Sequence, residues 1–479
     1  MDTTTPLYFA FVLLIFLAVW RQQLIPQQWH VILTPSQWAN GILLVASYGF
    51  YALLSVDFVP ILASVTIGVY LCALLLPRQT NRRMRHAILS IGLLMSLGIL
   101  GLFKYYDFFV EAFGGSPASR FILPIGLSFY SFQAISYLLD VNNRRVEPVS
   151  NLPDFALYMA YFPRLVAGPI ERLNDLMPQL QQPRSLSWQG VGDGLFLILQ
   201  GMFKKVAVAN VIGMAIAPIQ ATSSGDMAML SSGILWVTML LYTLQLYLDF
   251  SGYMDIARGV SKCLGIELSM NFAVPYFAAR PVDFWNRWHI TLSNWLRDYL
   301  FMPTSRYFLK RIRSRNVVLF IAYFVTMTLS GLWHGAGWNF VLWGFLHGVM
   351  LFFSRLLLPG ALPALESAPD YAKRAALIAG NFFLLNITFV FFALPIDNAL
   401  AFLIQMFSFE QMTDIGHLGR VLVFAMVAWL FLDISELWGG KRAIAKFPSP
   451  LRGALYAVMV ALSVSSGLSG VETFIYGQF

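Results

Sequence analysis

An all-α polytopic membrane fold, with about 11–13 transmembrane helices plus re-entrant and interfacial helices, follows from three features of the sequence. Hydrophobic residues make up 58% of the chain and charged residues 12%, about half the charged share of an ordinary soluble domain. Mean hydropathy is +0.66. The apolar runs are long and continuous, which suits helices of about 20 residues crossing a bilayer. Barrel strands would alternate in short segments instead.

Taken in order, the candidate spans are Leu7–Trp20, Gly41–Leu54, Phe58–Leu76, Ala87–Phe103, Phe121–Leu139 and Gly194–Ile216, then Leu230–Phe250, Val317–Trp333, Phe340–Leu357, Ala375–Leu394, Val421–Trp438 and Leu455–Leu468. Leu7–Trp20 reads as a retained span, because no basic region precedes it and no small-residue cleavage site follows. No internal repeat and no soluble linker is evident. Cys72 and Cys263 are the two cysteines, and two distant thiols form neither a metal spacing nor a disulfide framework.

The net charge of +8 collects in loops, where it marks topology and contact with anionic lipid rather than nucleic acid. Arg78, Arg82, Arg83 and Arg85 share one loop, and Arg144 and Arg145 follow the fifth span. Arg306, Lys310, Arg311, Arg313 and Arg315 precede the eighth, and Lys441, Arg442 and Lys446 precede the last. The positive-inside rule makes these loops cytoplasmic and sets the N-terminus on the periplasmic side.

Two stretches depart from plain spans and loops. Asn151–Gln182 is too aromatic and apolar for a solvated loop, yet Pro163, Gly168 and Pro169 interrupt any helix. Broken backbone at membrane depth must be buried in protein or line a wet cavity, so a re-entrant segment is predicted. From Asp249 to Pro303, Trp285, Trp288, Trp295 and Tyr299 alternate with Asp283, Arg287, His289, Arg297 and Asp298. That spacing predicts an amphipathic interfacial helix, although a plain anchor would not need so many opposed charges.

Six histidines are present. His30, His86 and His417 read as surface or interface residues, and His347 as a hydrogen bond to a neighbouring helix. His334 is different, because it ends an apolar span, where an imidazole is costly unless it is solvated, paired or used. Gly331, Gly335, Ala336 and Gly337 around it would let a backbone, a water or a substrate approach closely. No zinc-ligand spacing and no Gly-x-Ser-x-Gly elbow occurs, so no metal is expected. An imidazole of pKa roughly 6.5 can take a proton from a hydroxyl and return it to a leaving group. Asn339 lies near enough in sequence to orient a carbonyl or the ring. Asp249, Tyr253, Asp283 and Arg287 are further candidates to line a substrate path.

At these residues the chain resembles the membrane-bound O-acyltransferase family, in the bacterial branch that acts on cell-envelope glycans. The segments that carry the likeness are Phe103–Phe109, Leu123–Gln133, Phe162–Ile170, Asp249–Tyr253, Asn271-Phe272, Asp283–Ser293 and Gly331–Gly335. The resemblance implies one membrane-embedded acyltransferase domain over residues 1–479, with a core at 95–350 and flanking helices at 1–94 and 351–479. It implies a ring of helices around a central tunnel. His334 falls on the family's active-site histidine, and His289 on its second recurrent histidine, toward the cytoplasmic mouth. The chain departs from the pattern at Phe474-Ile475-Tyr476-Gly477-Gln478-Phe479, where an aromatic residue usually replaces the glycine.

The activity this resemblance implies is O-acetyl transfer from a cytoplasmic thioester, acetyl-CoA or another, with no bound cofactor. The acceptor would be an exopolysaccharide, with alginate favoured, reached through periplasmic acetyltransferase partner proteins across the bacterial inner membrane. D-alanyl or other acyl transfer to teichoic acid, cellulose or peptidoglycan is the alternative within the class. A transporter or flippase without chemistry is the alternative outside it.

Overall fold

The computed structural model describes residues 3–24, 35–116, 121–357 and 371–467. His30 and the C-terminal hexapeptide lie outside the described residues. The described chain is α-helical, with short 3-10 and π-helical pieces and no strand. Within the described residues, each of the twelve expected spans overlaps a helix. Among the described residues, eight helices are long and apolar enough to cross a membrane, from Val56–Arg78 to Leu418–Leu437. The other four expected spans lie on Pro6–Leu24, Pro35–Leu54, Leu127–Asn142 and Ser449–Gly467.

Two compact units divide the chain: Met1–Ile198 with Tyr253–Ser269, and Leu199–Gly252 with Met270–Phe479. In the first unit come α1 (Pro6–Leu24), α2 (Pro35–Leu54), α3 (Val59–Leu75), α4 (Arg82–Ala112) and α5 (Leu127–Asn142). Asn81 starts α4 by accepting from the Arg83 and Met84 amides, which would otherwise lack partners. The span expected from Phe121 begins only at Leu127, because Gly126 sits at φ +75° before it. A Cβ at Gly126 would lie 2.1 Å from the Leu165 carbonyl oxygen, so only glycine fits there.

The expected interruption after residue 151 is present as α6 (Leu152–Ala160), α7 (Phe162–Leu165) and α8 (Leu173–Gln181). Almost every residue from Leu157 to Ile170 is buried. Its freed backbone groups are taken up by side chains, as burial requires. The Tyr158 carbonyl accepts from Arg164 and, at 2.9 Å, from Gln133 Nε2. Tyr158 Oη donates to the Glu171 carbonyl at 3.1 Å. The Glu171 carboxylate accepts from the Ser269 amide at 2.6 Å and its hydroxyl at 2.9 Å.

The chain enters the second unit within α9 (Trp188–Met202), which runs on through a π-helical turn, Phe203–Ala209, into α10 (Asn210–Gln220). Then come α11 (Ser232–Cys263), α12 (Pro281–Trp285), α13 (Ile290–Leu296), a second π-helical turn Arg297–Phe301, and α14 (Met302–Leu309). Next are α15 (Arg315–His334), α16 (Trp338–Leu357), α17 (Tyr371–Ala393), α18 (Ile396–Met406), α19 (Leu418–Leu437), α20 (Lys441–Ile444) and α21 (Ser449–Gly467). The core of this unit is strongly aromatic, with Tyr276, Phe284, Trp288, Trp343, Phe389 and Trp429 in one buried cluster.

One expectation fails here. Residues 283–300 do not form one continuous helix. His289 adopts φ +43° and ψ +53°, which breaks the stretch into α12 and α13. Trp285, Trp288 and Trp295 are buried in protein rather than presented to an interface. Spacing alone shows that residues share a face; it does not say what covers that face.

Candidate active site

α15 and α16 form a tight hairpin. A Cβ on Gly331 would lie 2.1 Å from the Phe340 carbonyl oxygen, and one on Gly344 would lie 2.2 Å from that of Met327. The two glycines therefore let the helix backbones touch. At the end of α15, Gly335 turns extended and its α-carbon faces the Phe340 ring. The small residues around His334 thus admit the α16 backbone and Phe340.

His334 is the last residue of α15 and is 3% exposed. Its ring stands perpendicular to Trp343 with centroids 5.1 Å apart, and lies 5.3 Å from Phe392. Trp333, its neighbour, packs on His334 with centroids 4.8 Å apart and on His289 with centroids 6.3 Å apart. The two candidate histidines therefore contact one indole. His289 is fully buried and also packs on Phe250, at 4.9 Å. Burial pushes the His289 imidazole down to about 3, so at neutral pH it is an uncharged donor and acceptor rather than a cation.

His347 also packs on Trp343, with centroids 4.6 Å apart. Its role follows from its bonds. The Trp285 indole donates to Nδ1 at 3.3 Å, and an indole can only donate, so Nδ1 carries no hydrogen. Nε2 therefore donates to Thr388 Oγ1 at 3.1 Å, and Thr388 donates onward to the Leu385 carbonyl at 2.8 Å. Both nitrogens are engaged by neighbouring helices, as the sequence suggested. His86 and His417 are exposed, again as expected.

Thr326, Ser330 and His334 recur every four residues and share one face of α15. Thr326 and Ser330 are buried, and their hydroxyls have no hydrogen-bond partner among the described residues. The Trp343 indole nitrogen beside His334 is in the same condition. Thr326 also lines a cavity of about 200 Å³ with Trp285, Asn286, Ser293, Asn294 and Arg297. The eight steps from Thr326 to His334 cover about 12 Å along the helix axis. A polar stripe thus rises from the cavity, which Arg297 borders, toward the buried imidazole.

The remaining predicted residues are placed differently. Asp249 forms a buried ion pair with Lys205 from the π-helical turn. Asp283 takes a two-pronged bond from Arg280, at 2.6 and 2.8 Å. Arg287 is half-buried, and its carbonyl accepts from the Ala273 amide at 2.9 Å. Asn339 donates to the Phe391 carbonyl at 3.1 Å, tethering the end of α17 beside Phe392. Tyr253 is buried on the part of α11 that belongs to the first unit.

Sequence reasoning passed over Asp433, which accepts from Tyr247 Oη and Trp429 Nε1, each at 2.8 Å. The signal was available, since a carboxylate inside the apolar run Val421–Trp438 is itself unusual.

The family model described as "MBOAT, membrane-bound O-acyltransferase family" matches residues 127–394. The chain is 36% identical over 437 residues to "Probable alginate O-acetylase AlgI" of Azotobacter vinelandii, covering 88% of this chain and 83% of that protein. It is 34% identical to the "Peptidoglycan O-acetyltransferase" of Helicobacter pylori, over 77% of this chain and 73% of that one. Against the "Teichoic acid D-alanyltransferase" of Bacillus subtilis the identity is 29%, over 53% of this chain and 65% of the relative.

Proposed function

We propose that this chain, which belongs to the membrane-bound O-acyltransferase family, moves an acetyl group from a cytoplasmic thioester to a cell-envelope polysaccharide. It is an acyltransferase. Alginate is the favoured acceptor, from the extent of the likeness to the alginate O-acetylase. Acetyl-CoA or another acyl thioester is the donor, and no bound cofactor is required. The protein lies in the bacterial inner membrane with its N-terminus periplasmic. It hands the group on through periplasmic acetyltransferase partner proteins.

The observation that carries this reading is the stripe Thr326–Ser330–His334 above the cavity. Buried hydroxyls without partners call for an explanation, and a thioester arm with hydrogen-bonding groups supplies one. The basic loop before Arg315 marks the donor side, so the arm enters by the cavity and points its carbonyl at His334. His334 takes the proton from the acceptor hydroxyl as its oxygen attacks that carbonyl. The C–O bond forms, the C–S bond breaks, and the thiol leaves with the proton. In this reading neutral His289, which also packs on Trp333, donates a hydrogen bond to the donor or to the developing negative charge. Holding donor and acceptor together in a dry passage supplies the rest of the rate.

His334→Ala should leave protein level and monodispersity unchanged and lower acetyl transfer by about 10²–10⁴-fold. The test is thiol release from acetyl-CoA by purified protein, with polymer O-acetyl content measured in cells. Normal acetylation by a well-expressed His334→Ala protein would sink the assignment. The likeness to a peptidoglycan O-acetyltransferase gives the second reading, in which the acceptor is peptidoglycan. O-acetyl analysis of each polymer in cells lacking the protein separates the two.

A further inference from the structure

His289 is the N-cap of α13, yet its side chain makes no capping bond to its own helix. Its backbone is also in the left-handed region, at φ +43°. A non-glycine residue there is strained and persists only where its surroundings hold it. The surroundings that hold it can be named. The Asn271 carbonyl accepts from the Ile290 amide at 2.9 Å. Asn271 Oδ1 accepts from the Thr291 amide at 2.9 Å and from Thr291 Oγ1 at 2.8 Å. On the other side of His289, the Ala273 amide donates to the Arg287 carbonyl at 2.9 Å. Asn271 is itself buried.

The first amides of a helix need an acceptor, which the N-cap side chain ordinarily supplies. Here the acceptor comes from a residue 20 positions away in sequence from Thr291. We propose that Asn271 is a positioning residue: it caps α13 in place of His289, and so holds the His289 backbone left-handed and its imidazole turned against Phe250 and Trp333. A histidine that capped its own helix would have to turn its ring back onto the Thr291 or Leu292 amide. Asn271 supplies that acceptor and leaves the ring facing the site. The proposal deepens the acyltransferase reading and rests on it only for the claim that His289 takes part in acyl transfer.

The test has two arms. In the first, purified protein is treated with diethyl pyrocarbonate and the modified histidines are located by peptide mass spectrometry. Wild-type protein should show His289 and His347 protected. Asn271→Ala should expose His289 at least five-fold more while His347 stays protected, and Asn271→Asp, which keeps the oxygen acceptor, should restore protection. If neither histidine gains label, Asn271 does not hold His289 and the proposal fails. If both gain label together, the residue merely supports the fold and the proposal also fails. Should the alanine protein not be obtained folded, Asn271→Ser is the second variant, with an intermediate gain at His289 expected.

The second arm measures acetyl-CoA turnover. Asn271→Ala should lower kcat about ten-fold with KM within two-fold, and should add nothing to the loss already caused by His289→Gln. Additive losses would mean that Asn271 acts elsewhere and would overturn the proposal. Selective labelling of His289 with unchanged turnover in both single variants would leave the clamp standing and remove His289 from the reaction.

Discussion

In each unit a stretch of buried backbone leaves regular helix, and the two stretches solve the same problem differently. Between Tyr158 and Glu171, ionisable side chains bond the chain itself. Arg164 bonds the Tyr158 carbonyl and stands 5.7 Å over the Tyr158 ring, and Glu171 bonds Ser269 twice. At the His289 break, the Asn271 amide and main-chain bonds do the holding, and the imidazole makes no capping bond to α13. Broken backbone in a membrane protein is thus not by itself a sign of chemistry. The informative point is whether the titratable group at the break supplies the bonds that hold the chain or leaves them to other residues.

The contrast predicts that substitutions in the first stretch act on stability and those in the second on turnover. Arg164→Met keeps the bulk of the side chain but loses its bonds to the Tyr158 and Met159 carbonyls. Losing charged hydrogen bonds in a buried place should cost about 3 kcal/mol. The outcome is a lower Tm in detergent and a lower yield, with turnover per folded molecule unchanged. A thermally intact Arg164→Met protein without activity would break the comparison, because it would move Arg164 into the site.

His289→Gln tests the other half. The amide keeps a donor and an acceptor of similar reach but not the ring geometry. Turnover should fall about 10²-fold, the usual consequence of displacing a group that stabilises charge in the transition state. Tm should stay near the wild-type value, because the Asn271 bonds to Ile290 and Thr291 do not involve the ring. A large fall in Tm with full turnover would place His289 with the scaffold.

How far this division could be read from sequence depends on the physical signal each feature leaves. The helices were legible because long apolar runs state their own length. His334 was legible because an imidazole closing an apolar span is conspicuous. The break at Asn151–Gln182 was legible from Pro163, Gly168 and Pro169. The break at His289 was not, since a left-handed histidine leaves no compositional mark and the acceptors that hold it lie at Asn271. Lys205 and Asp249 are 44 residues apart, so their pairing is invisible to any local pattern. The tryptophans of 285–295 suggested an interface for the same reason: a helical face is visible in spacing, but its covering is not.

The smallest expected effect is the most discriminating, because the two stretches should respond to pH with opposite sign. Burial raises the Glu171 carboxyl above its ordinary value, against the opposing bonds from Ser269. A group whose folded value lies above its unfolded one favours the folded state at low pH, and that contribution is lost as pH rises through the raised value. His289 is the reverse, with a folded value of about 3 against roughly 6.5 when unfolded. Its contribution is present above pH 6.5 and is lost as pH falls toward 3. Glu171→Gln keeps an acceptor for the Ser269 amide and removes the titration. Its Tm relative to wild type should therefore climb from pH 4.5 to 8, on the order of 1 °C per pH unit where the carboxyl titrates. His289→Gln should show the opposite trend, gaining on wild type as the pH drops below 6.5. Parallel trends in the two variants would mean that one of the two groups does not carry, in the folded protein, the charge state its burial implies.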